Sequence, residues 1–233
     1  VISAAAPDPG TCLAVVTRIG ANVEFEFFGD TRAMLDIGPV EADVVRSAAL
    51  VHAGSTAFMG EPASSTVRDA FERADGFRTA DPNPRPLVIR DRARYLERME
   101  PLVAMADLVK LSSEDVAYLY PGTDLDDAVE RLLALGPDVV LVTQAADASL
   151  LATHEGRRTV AIGETNAIDP TGAGDTVSAS LIADIVRDGP PDSFDGWASL
   201  ARRANEAAAI TCSRLGGADA MPTHAELEAR LAS

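Results

Sequence analysis

The chain has 233 residues, of which 47% are hydrophobic and 24% charged. This composition is typical of a globular protein with a substantial core, in one large domain or two small ones. Its 36 acidic and 20 basic residues give a net charge of −16, which argues against nucleic-acid binding because a phosphate backbone requires a basic surface. A small anionic ligand is still compatible with this charge, since a few local donors suffice to bind it.

The cysteines and histidines predict neither a disulfide framework nor a metal centre. Cys12 and Cys212 are far apart in sequence, so we expect reduced thiols in a cytoplasmic protein. His52, His154 and His224 lack the spacing of metal ligands and are predicted to be structural. We recognise no apolar run long enough to span a bilayer and no signal peptide, so no membrane partner is expected.

The first predicted element is a β hairpin at "LAVVTRIGANVEFEFFGD" (13–30), with a Gly-Ala-Asn turn. In its second half apolar residues alternate with Glu24 and Glu26, which gives one apolar and one mostly acidic face. We expect residues 1–36 to form a lid or a dimer contact, because an exposed edge strand with Phe side chains needs covering.

Strands and helices then alternate along residues 37–233. The predicted strands are 49–54, 77–81, 107–111 and 138–143, with a short hairpin at 149–153 and 158–163. The predicted helices are 64–75, 90–106, 112–120, 124–136, 172–188, 196–213 and 223–231. Pro101 is expected to kink or break the second helix. Repeated βα units predict a doubly wound α/β domain, with a largely parallel sheet flanked by helices.

The stretch "NAIDPTGAGDTVSASLIADIV" (166–186) combines two glycines with the start of a helix. Gly172 and Gly174 permit a sharp turn and close approach to a ligand, and the N–H groups at a helix start bind anions. The stretch matches neither the Walker A loop nor the dinucleotide motif. Asp175 suits helix capping, and it equally suits a general base beside an anion site. From these residues alone both interpretations remain open.

Residues 169–175, Asp-Pro-Thr-Gly-Ala-Gly-Asp, resemble the D-T-x-G-A-G-D signature of the PfkB/ribokinase family of carbohydrate kinases. Four more segments resemble family elements in the same order: "DPNPRP" (81–86), "VKLSSEDVAYLYPG" (109–122), "VVLVTQAADASLLA" (139–152) and "AAAITCSRLGGADAMPTHAELE" (207–228). The resemblance extends over most of the chain and is closest to bacterial fructokinase-like members. It implies a ribokinase-like fold.

The resemblance also implies roles for the matching residues. Asp175 would be the catalytic base that deprotonates a sugar hydroxyl. The other implied groups are an anion hole (Gly172, Ala173, Gly174), phosphate or substrate contacts (Asp81, Asn83, Arg85), nucleotide contacts (Lys110, Ser112, Thr143, Ala145, Asp147, Asn205), Mg²⁺ ligands acting through water (Glu114, Asp115) and ligands of a monovalent cation such as K⁺ (Asp169, Thr171). An anion hole, a metal and one base suffice for phosphoryl transfer from ATP.

The chain departs from the family pattern at several positions. Pro170 stands where Thr is common, which removes an N–H and a hydroxyl. Ser112 and Asp115 replace an Asn and a Glu. Ala145 and Ala148 replace two glycines, which is costly wherever the backbone needs a positive φ. The family's sugar-contacting segment before the hairpin is not found here, so we expect the chain to be an incomplete portion of such a protein.

The expected activity is ATP-dependent, Mg²⁺-requiring phosphorylation of a hexose such as fructose, in a homodimer. One alternative is a kinase of the same family for another acceptor: 2-keto-3-deoxygluconate, ribose or a nucleoside. The other is a kinase-like protein that binds a nucleotide without catalysis, an alternative that Pro170, Ala145 and Ala148 keep open.

Overall fold

The computed structural model describes residues 13–19, 22–28, 41–145 and 148–232. The strands are β1 (Leu13–Ile19), β2 (Asn22–Phe28), β3 (Leu50–Gly54), β4 (Phe77–Asp81), β5 (Leu108–Ser112), β6 (Val139–Gln144), β7 (Ala148–Thr153) and β8 (Gly156–Ala161). The helices are α1 (Ala42–Ser47), α2 (Ala63–Arg73), α3 (Arg92–Val103), α4 (Ser113–Leu119), α5 (Leu125–Leu135), α6 (Ala173–Asp188), α7 (Phe194–Cys212) and α8 (His224–Leu231). Within these ranges no helix has the length and apolar character needed to cross a membrane.

Strands β1 and β2 form the predicted antiparallel pair, with Leu13 opposite Phe28 and Ile19 opposite Asn22. Leu13 and Phe28 are both more than half exposed at the open end of this pair. The turn residues and the predicted boundary after residue 36 lie outside the described residues. A lid or dimer role for this hairpin therefore stays a prediction.

The other six strands form one sheet in the order β3-β4-β5-β6-β7-β8. Strand β4 pairs in parallel with β3 and β5, whereas β7 pairs antiparallel with β6 and β8. The predicted α/β class is confirmed, and the sheet is mixed. Its second half is antiparallel because β7 and β8 are joined by two residues, too few for the crossover that a parallel pair requires.

The chain divides into two compact units, residues 1–109 with 114–137 and residues 110–113 with 138–233. In the first unit each long helix buries an apolar stripe at helical spacing. On α2 it includes Val67, Ala70 and Phe71, and on α3 Tyr95, Met99, Leu102 and Val103.

The break predicted at Pro101 is not observed. Helix α3 continues through Pro101 and ends at Val103, so the proline costs only one hydrogen bond in the last turn.

In the second unit α7 contacts β7, β8, α6 and α8. Its buried face consists mostly of alanines, and such small side chains allow neighbouring elements to approach closely. Helix α8 packs Leu227 and Leu231 against Ala207 and Ile210 of α7. This unit holds the glycine stretch at the start of α6, together with the end of β5.

Candidate active site

The turn before α6 is shaped by Gly172. This residue is the N-cap of the helix, with φ +80° and ψ 2°, a left-handed conformation that L side chains avoid. A Cβ atom at this position would lie 3.2 Å from the Cα of Gly217. The backbone conformation therefore favours glycine here, and a second loop packs closely on it.

The first turn of α6 is anchored by Thr176. Its backbone N–H and its hydroxyl both donate to the carbonyl of Gly172, each at 2.8 Å. The hydroxyl also lies 2.9 Å from that of Thr211 on α7. The N–H of Ala173 donates to the carbonyl of Pro170 at 3.1 Å, so it is used within the turn. The next N–H groups, of Gly174 and Asp175, have no acceptor within the helix because they belong to its first turn.

Asp175 lies in this first turn with its side chain exposed. Its carboxylate makes no hydrogen bond or ion pair with any residue in the described ranges. A carboxylate that only capped the helix would accept a bond from a backbone N–H at the helix start. The geometry therefore does not support the capping interpretation, and it leaves the carboxylate accessible in the first turn of α6.

Asp169 joins the two loops around this turn. It is 5% exposed; Oδ1 accepts from the N–H of Thr171 at 3.0 Å and Oδ2 from the N–H of Gly216 at 3.2 Å. The N–H of Asp169 itself donates to the carbonyl of Cys212 at 3.0 Å. Burial and the negative charge of Asp169 raise the pKa of the Cys212 thiol. Asp169 thus holds the loop after α7 against the glycine turn.

Lys110 places a cationic side chain next to the same turn. It lies in β5 and is 4% exposed, and an added Cβ at Gly174 would be 2.8 Å from its Nζ. On the same strand, the carbonyl of Leu111 accepts a bond from Thr143 Oγ1 at 3.3 Å. The second unit therefore brings together Lys110, the glycine turn and Asp169.

Asp81, Asn83 and Arg85 follow β4 in the first unit. Asp81 is buried, and Asn83 has a positive φ of 34°. Tyr95 Oη donates to the carbonyl of Pro82 at 3.1 Å, which fixes this segment on α3. The pKa of Tyr95 is raised, first by burial and then by the negative charges of Asp115 and Asp81, against a smaller opposing effect of Arg85. The charges of Asp81 and Asp115 therefore both act on the Tyr95 hydroxyl.

Comparison with known families identifies the family of this chain. Residues 2–224 match the model of the pfkB family carbohydrate kinases. The chain belongs to the pfkB family. Among the curated relatives of this chain, the fructokinase of Vibrio alginolyticus is 31% identical over 181 residues, covering 76% of this chain and 59% of that protein. The chain thus spans less than two thirds of this relative.

Two solved structures show the same fold. One is fructokinase from Vibrio cholerae O395 in its fructose-, ADP- and calcium-bound form, with TM-score 0.82 and 24% identity, covering 96% of this chain and 75% of that one. The other is aminoimidazole riboside kinase from Salmonella enterica, complexed with aminoimidazole riboside and an ATP analog. It has TM-score 0.72 and 25% identity, covering 79% of this chain and 63% of that one. The ribokinase-like fold predicted from the sequence is therefore confirmed.

The predicted Mg²⁺ ligands are two consecutive residues in the first turn of α4, Glu114 and Asp115. Glu114 is exposed and Asp115 half-buried, and consecutive helical side chains point about 100° apart. In the described residues no group of three or more acidic, His or Cys side chains forms a metal cluster. Mg²⁺ in phosphoryl-transfer sites typically uses one or two carboxylates together with substrate phosphates. The pair fits that type of site.

Among the predicted nucleotide contacts, Asn205 has a structural role. It is 1% exposed; its Oδ1 accepts from Ser149 Oγ at 2.7 Å, and its Nδ2 donates to the carbonyls of Val160 and Ala161. These bonds connect α7 to β7 and β8. Ser112 is half-buried at the end of β5, and Asp147 lies outside the described residues. Nucleotide contacts by these residues stay predictions.

Ala145 has a φ of +49°, a conformation that favours glycine. We expect Ala145→Gly to raise the free energy of unfolding by about 0.5–1 kcal/mol, because relief of left-handed strain exceeds the added chain entropy. The matched control is Ala148→Gly, at a buried strand position, which should lower it by about 1–2 kcal/mol. Urea unfolding measures both. A loss of stability at Ala145 equal to that at Ala148 would contradict the backbone argument.

Sequence reasoning missed the residues that support the turn. Gly217 packs on Gly172 and Thr176 is anchored to Thr211, but the family signature marks none of these long-range contacts. The Gly216-Gly217 pair shortly after the end of α7 was a usable signal for a tight turn, and Gly216 has a φ of +105°. Tyr95 was missed because an aromatic residue on a helix stripe predicts only a core position.

Proposed function

We propose that this protein catalyses ATP-dependent phosphorylation of a sugar hydroxyl, as a fructokinase-like hexose kinase. Asp175 acts as the general base and the turn Gly172–Gly174 as the anion hole. In this turn the N–H of Gly174 has no acceptor within the helix, whereas the N–H of Ala173 donates to the carbonyl of Pro170. The observation that carries the proposal is the accessible Asp175 carboxylate beside the helix N–H groups. Similarity to fructokinases supports it further.

In the proposed reaction the sugar hydroxyl oxygen attacks the γ-phosphorus of ATP while Asp175 accepts the hydroxyl proton. The new oxygen–phosphorus bond forms as the bond from the γ-phosphorus to the bridging oxygen of ADP breaks, giving a sugar phosphate and ADP. Backbone N–H groups at the start of α6 stabilise the charge on the transferred phosphoryl oxygens. A helix N-terminus suits this task because its dipole favours negative charge.

Cations would complete the site. Glu114 and Asp115 would hold Mg²⁺ through water, and this ion neutralises phosphate charge when bound. Asp169 and Thr171 would hold a monovalent cation such as K⁺. Asp169 is chemically suited to this role, because carboxylate oxygens are ligands for hard cations. Asp81, Asn83 and Arg85 would contact phosphate or substrate.

A second acceptor class is favoured by a specific finding. Aminoimidazole riboside kinase matches this chain at 25% sequence identity, so a nucleoside-like hydroxyl is a reasonable alternative acceptor.

The proposal also includes location in the cytoplasm and dimerisation through the β1–β2 hairpin. The hairpin's exposed Leu13 and Phe28 support an apolar contact there.

The proposal is tested by coupled ADP release with MgATP and a panel of acceptors. The panel contains fructose, ribose, 2-keto-3-deoxygluconate and aminoimidazole riboside. We expect fructose to raise ADP release well above the acceptor-free rate. A larger rise with another acceptor would identify that acceptor, instead of fructose, as the preferred substrate. ATP binding by calorimetry without release on any acceptor would contradict catalysis and favour a non-catalytic nucleotide-binding protein.

A further inference from the structure

Helix α8 combines little apolar burial with several ion pairs. It has eight residues, and Leu227 is its buried residue. Helices this short are marginal on their own in water, so α8 depends on its contacts with the rest of the second unit. In the described residues three ion pairs join it to α7 and to the loop after α7: Arg203–Glu228, Arg230–Glu206 and Arg214–Glu226.

One of these three pairs differs from the others in what it connects. Arg203 and Glu206 lie on α7, so their pairs hold α8 on that helix. Arg214 instead lies beyond the end of α7, in the loop that leads to Gly216 and Gly217. Loss of the Arg214 pair would therefore release the loop, whereas loss of either other pair would loosen α8 on α7.

The loop that carries Arg214, residues 213–217, supports the glycine turn of the active site. The N–H of Gly216 donates to Asp169 Oδ2 at 3.2 Å. The Cα of Gly217 lies 3.2 Å from the position of a Cβ added to Gly172. A displacement of this loop would consequently reach the start of α6 directly.

Glu226 is oriented towards Arg214 by the cap of its own helix. Its Oε2 accepts from the N–H of Thr223 at 2.8 Å and from the Thr223 hydroxyl at 2.9 Å. Its Oε1 accepts from Arg214 Nη2 at 2.5 Å. The bond from Arg214, followed by those from Thr223, lowers the pKa of Glu226 to about 2. The carboxylate is therefore charged near neutral pH, and each of its oxygens has a separate partner.

Stability alone gives little reason for this arrangement. The side chains of Arg214 and Glu226 are 36% and 42% exposed, and ion pairs with this exposure contribute little to the free energy of unfolding. Their geometric effect is larger, because a displacement of about 1 Å in a catalytic group can lower the rate by about 10²-fold.

We propose that Arg214 and Glu226 are positioning residues of the active site, which hold the loop 213–217 against Gly172 in the arrangement that phosphoryl transfer requires. This inference rests on the proposed function. The pair acts through the loop and not by contact with the reacting atoms. A purely structural pair would instead hold α8 in place without changing the chemistry of the turn.

Glu226→Gln provides the kinetic test. Glutamine can keep the capping box with Thr223 but cannot form the ion pair. We expect kcat to fall by about 10–10²-fold with a nearly unchanged KM for the sugar, because the geometry of the transfer step is altered and not sugar binding. Urea unfolding should give nearly the wild-type midpoint.

The matched control is Glu228→Gln, the same substitution on the same helix. It removes the pair with Arg203, which connects α8 to α7 and leaves the loop untouched. We expect this variant to keep the wild-type kcat. Equal kcat values in the two folded variants would overturn the inference while leaving the kinase proposal intact.

Arg214 tests the pair from the other side. Arg214→Met should lower kcat as much as Glu226→Gln does, and the double variant should lose no more than either single variant, because both changes remove one interaction. Arg214→Lys keeps the positive charge and should recover part of the lost kcat. Independent, multiplying losses in the double variant would overturn the inference.

An NMR measurement reports on the turn without any turnover. Residues 171–172 form the only Thr-Gly sequence of the chain, so protein labelled with carbonyl-¹³C threonine and ¹⁵N glycine gives one carbonyl-correlated amide signal, that of Gly172. We expect this signal to shift in Glu226→Gln and Arg214→Met but not in Glu228→Gln. An unchanged signal in Glu226→Gln, or equal shifts in both glutamate variants, would overturn the inference.

The two proposals can fail separately in this design. A protein that turns over no acceptor, but whose Gly172 signal responds only to loss of the Arg214–Glu226 pair, refutes the kinase proposal and retains the pair as the support of the turn. A protein that phosphorylates sugars, but whose kcat and Gly172 signal are indifferent to the pair, refutes the positioning role alone.

Discussion

Replacing Asp175 with Asn is expected to lower kcat for sugar phosphorylation by about 10²–10⁴-fold, the usual contribution of a general base. The amide has nearly the same shape as the carboxylate but cannot accept the hydroxyl proton. Asp175 is exposed and makes no hydrogen bond within the described ranges. The free energy of unfolding of the variant should therefore lie within about 0.5 kcal/mol of the wild-type value. Coupled ADP release measures kcat and KM, and calorimetry verifies the fold.

The matched control is Asp188→Asn at the opposite end of the same helix. Asp188 is exposed and paired with Arg187 at 2.6 Å, a contact expected to contribute little to stability. This control should retain the wild-type kcat. Near-normal turnover of Asp175→Asn would show that the base assignment is wrong. Equal losses in both variants would point to a general effect of helix charge.

Asp169→Asn should lower both stability and activity. Both carboxylate oxygens accept backbone N–H bonds, from Thr171 and Gly216. An asparagine retains one acceptor and turns a donor towards the other N–H group. A buried donor left without an acceptor costs about 1–3 kcal/mol, so we expect that loss in the free energy of unfolding. The kcat should fall as well, because the loop that packs on Gly172 loses its anchor.

Asp195→Asn is the comparison for this variant. Asp195 pairs with Arg158 at 2.7 Å with most of its side chain exposed, so its loss should cost about 0–1 kcal/mol. Urea unfolding of both variants isolates the effect of burial. Equal stabilities would contradict the structural role assigned to Asp169. Reduced stability with unchanged kcat/KM would show that Asp169 supports the fold but not the chemistry.

Local structure was predictable wherever short-range chemistry decides it. Helix α5 (Leu125–Leu135) is preceded by the N-cap Asp124 and followed by the C-cap Gly136, whose φ is +151°. Helix α8 opens with a capping box of Thr223 and Glu226. Such signals depend only on neighbouring residues, so the predicted bounds lie close to the observed ones. Helix α1, six residues long with Val45 as its buried residue, was missed because so short a stripe carries little periodicity.

The contacts that shape the site were not predictable in the same way. The sequence alone does not show that Gly217 packs on Gly172 or that Lys110 lies beside Gly174, because these pairs meet only through tertiary packing. Asn205 is a further example. The nucleotide contact implied by family resemblance stays a prediction, and the structure adds that its amide is buried and bonded to Ser149 and two strand carbonyls. A motif predicts which residues matter, whereas the contacts show how each is used.

The most direct test of the central claim is a ³¹P NMR measurement of the products formed from MgATP and fructose. We predict a new phosphomonoester signal whose integrated amount equals that of the ADP produced. Asp188→Asn should behave as the wild type, and Asp175→Asn should form almost no phosphomonoester. ADP accompanied only by inorganic phosphate, or sugar phosphate formed equally well by Asp175→Asn, would contradict an Asp175-dependent transfer to the sugar.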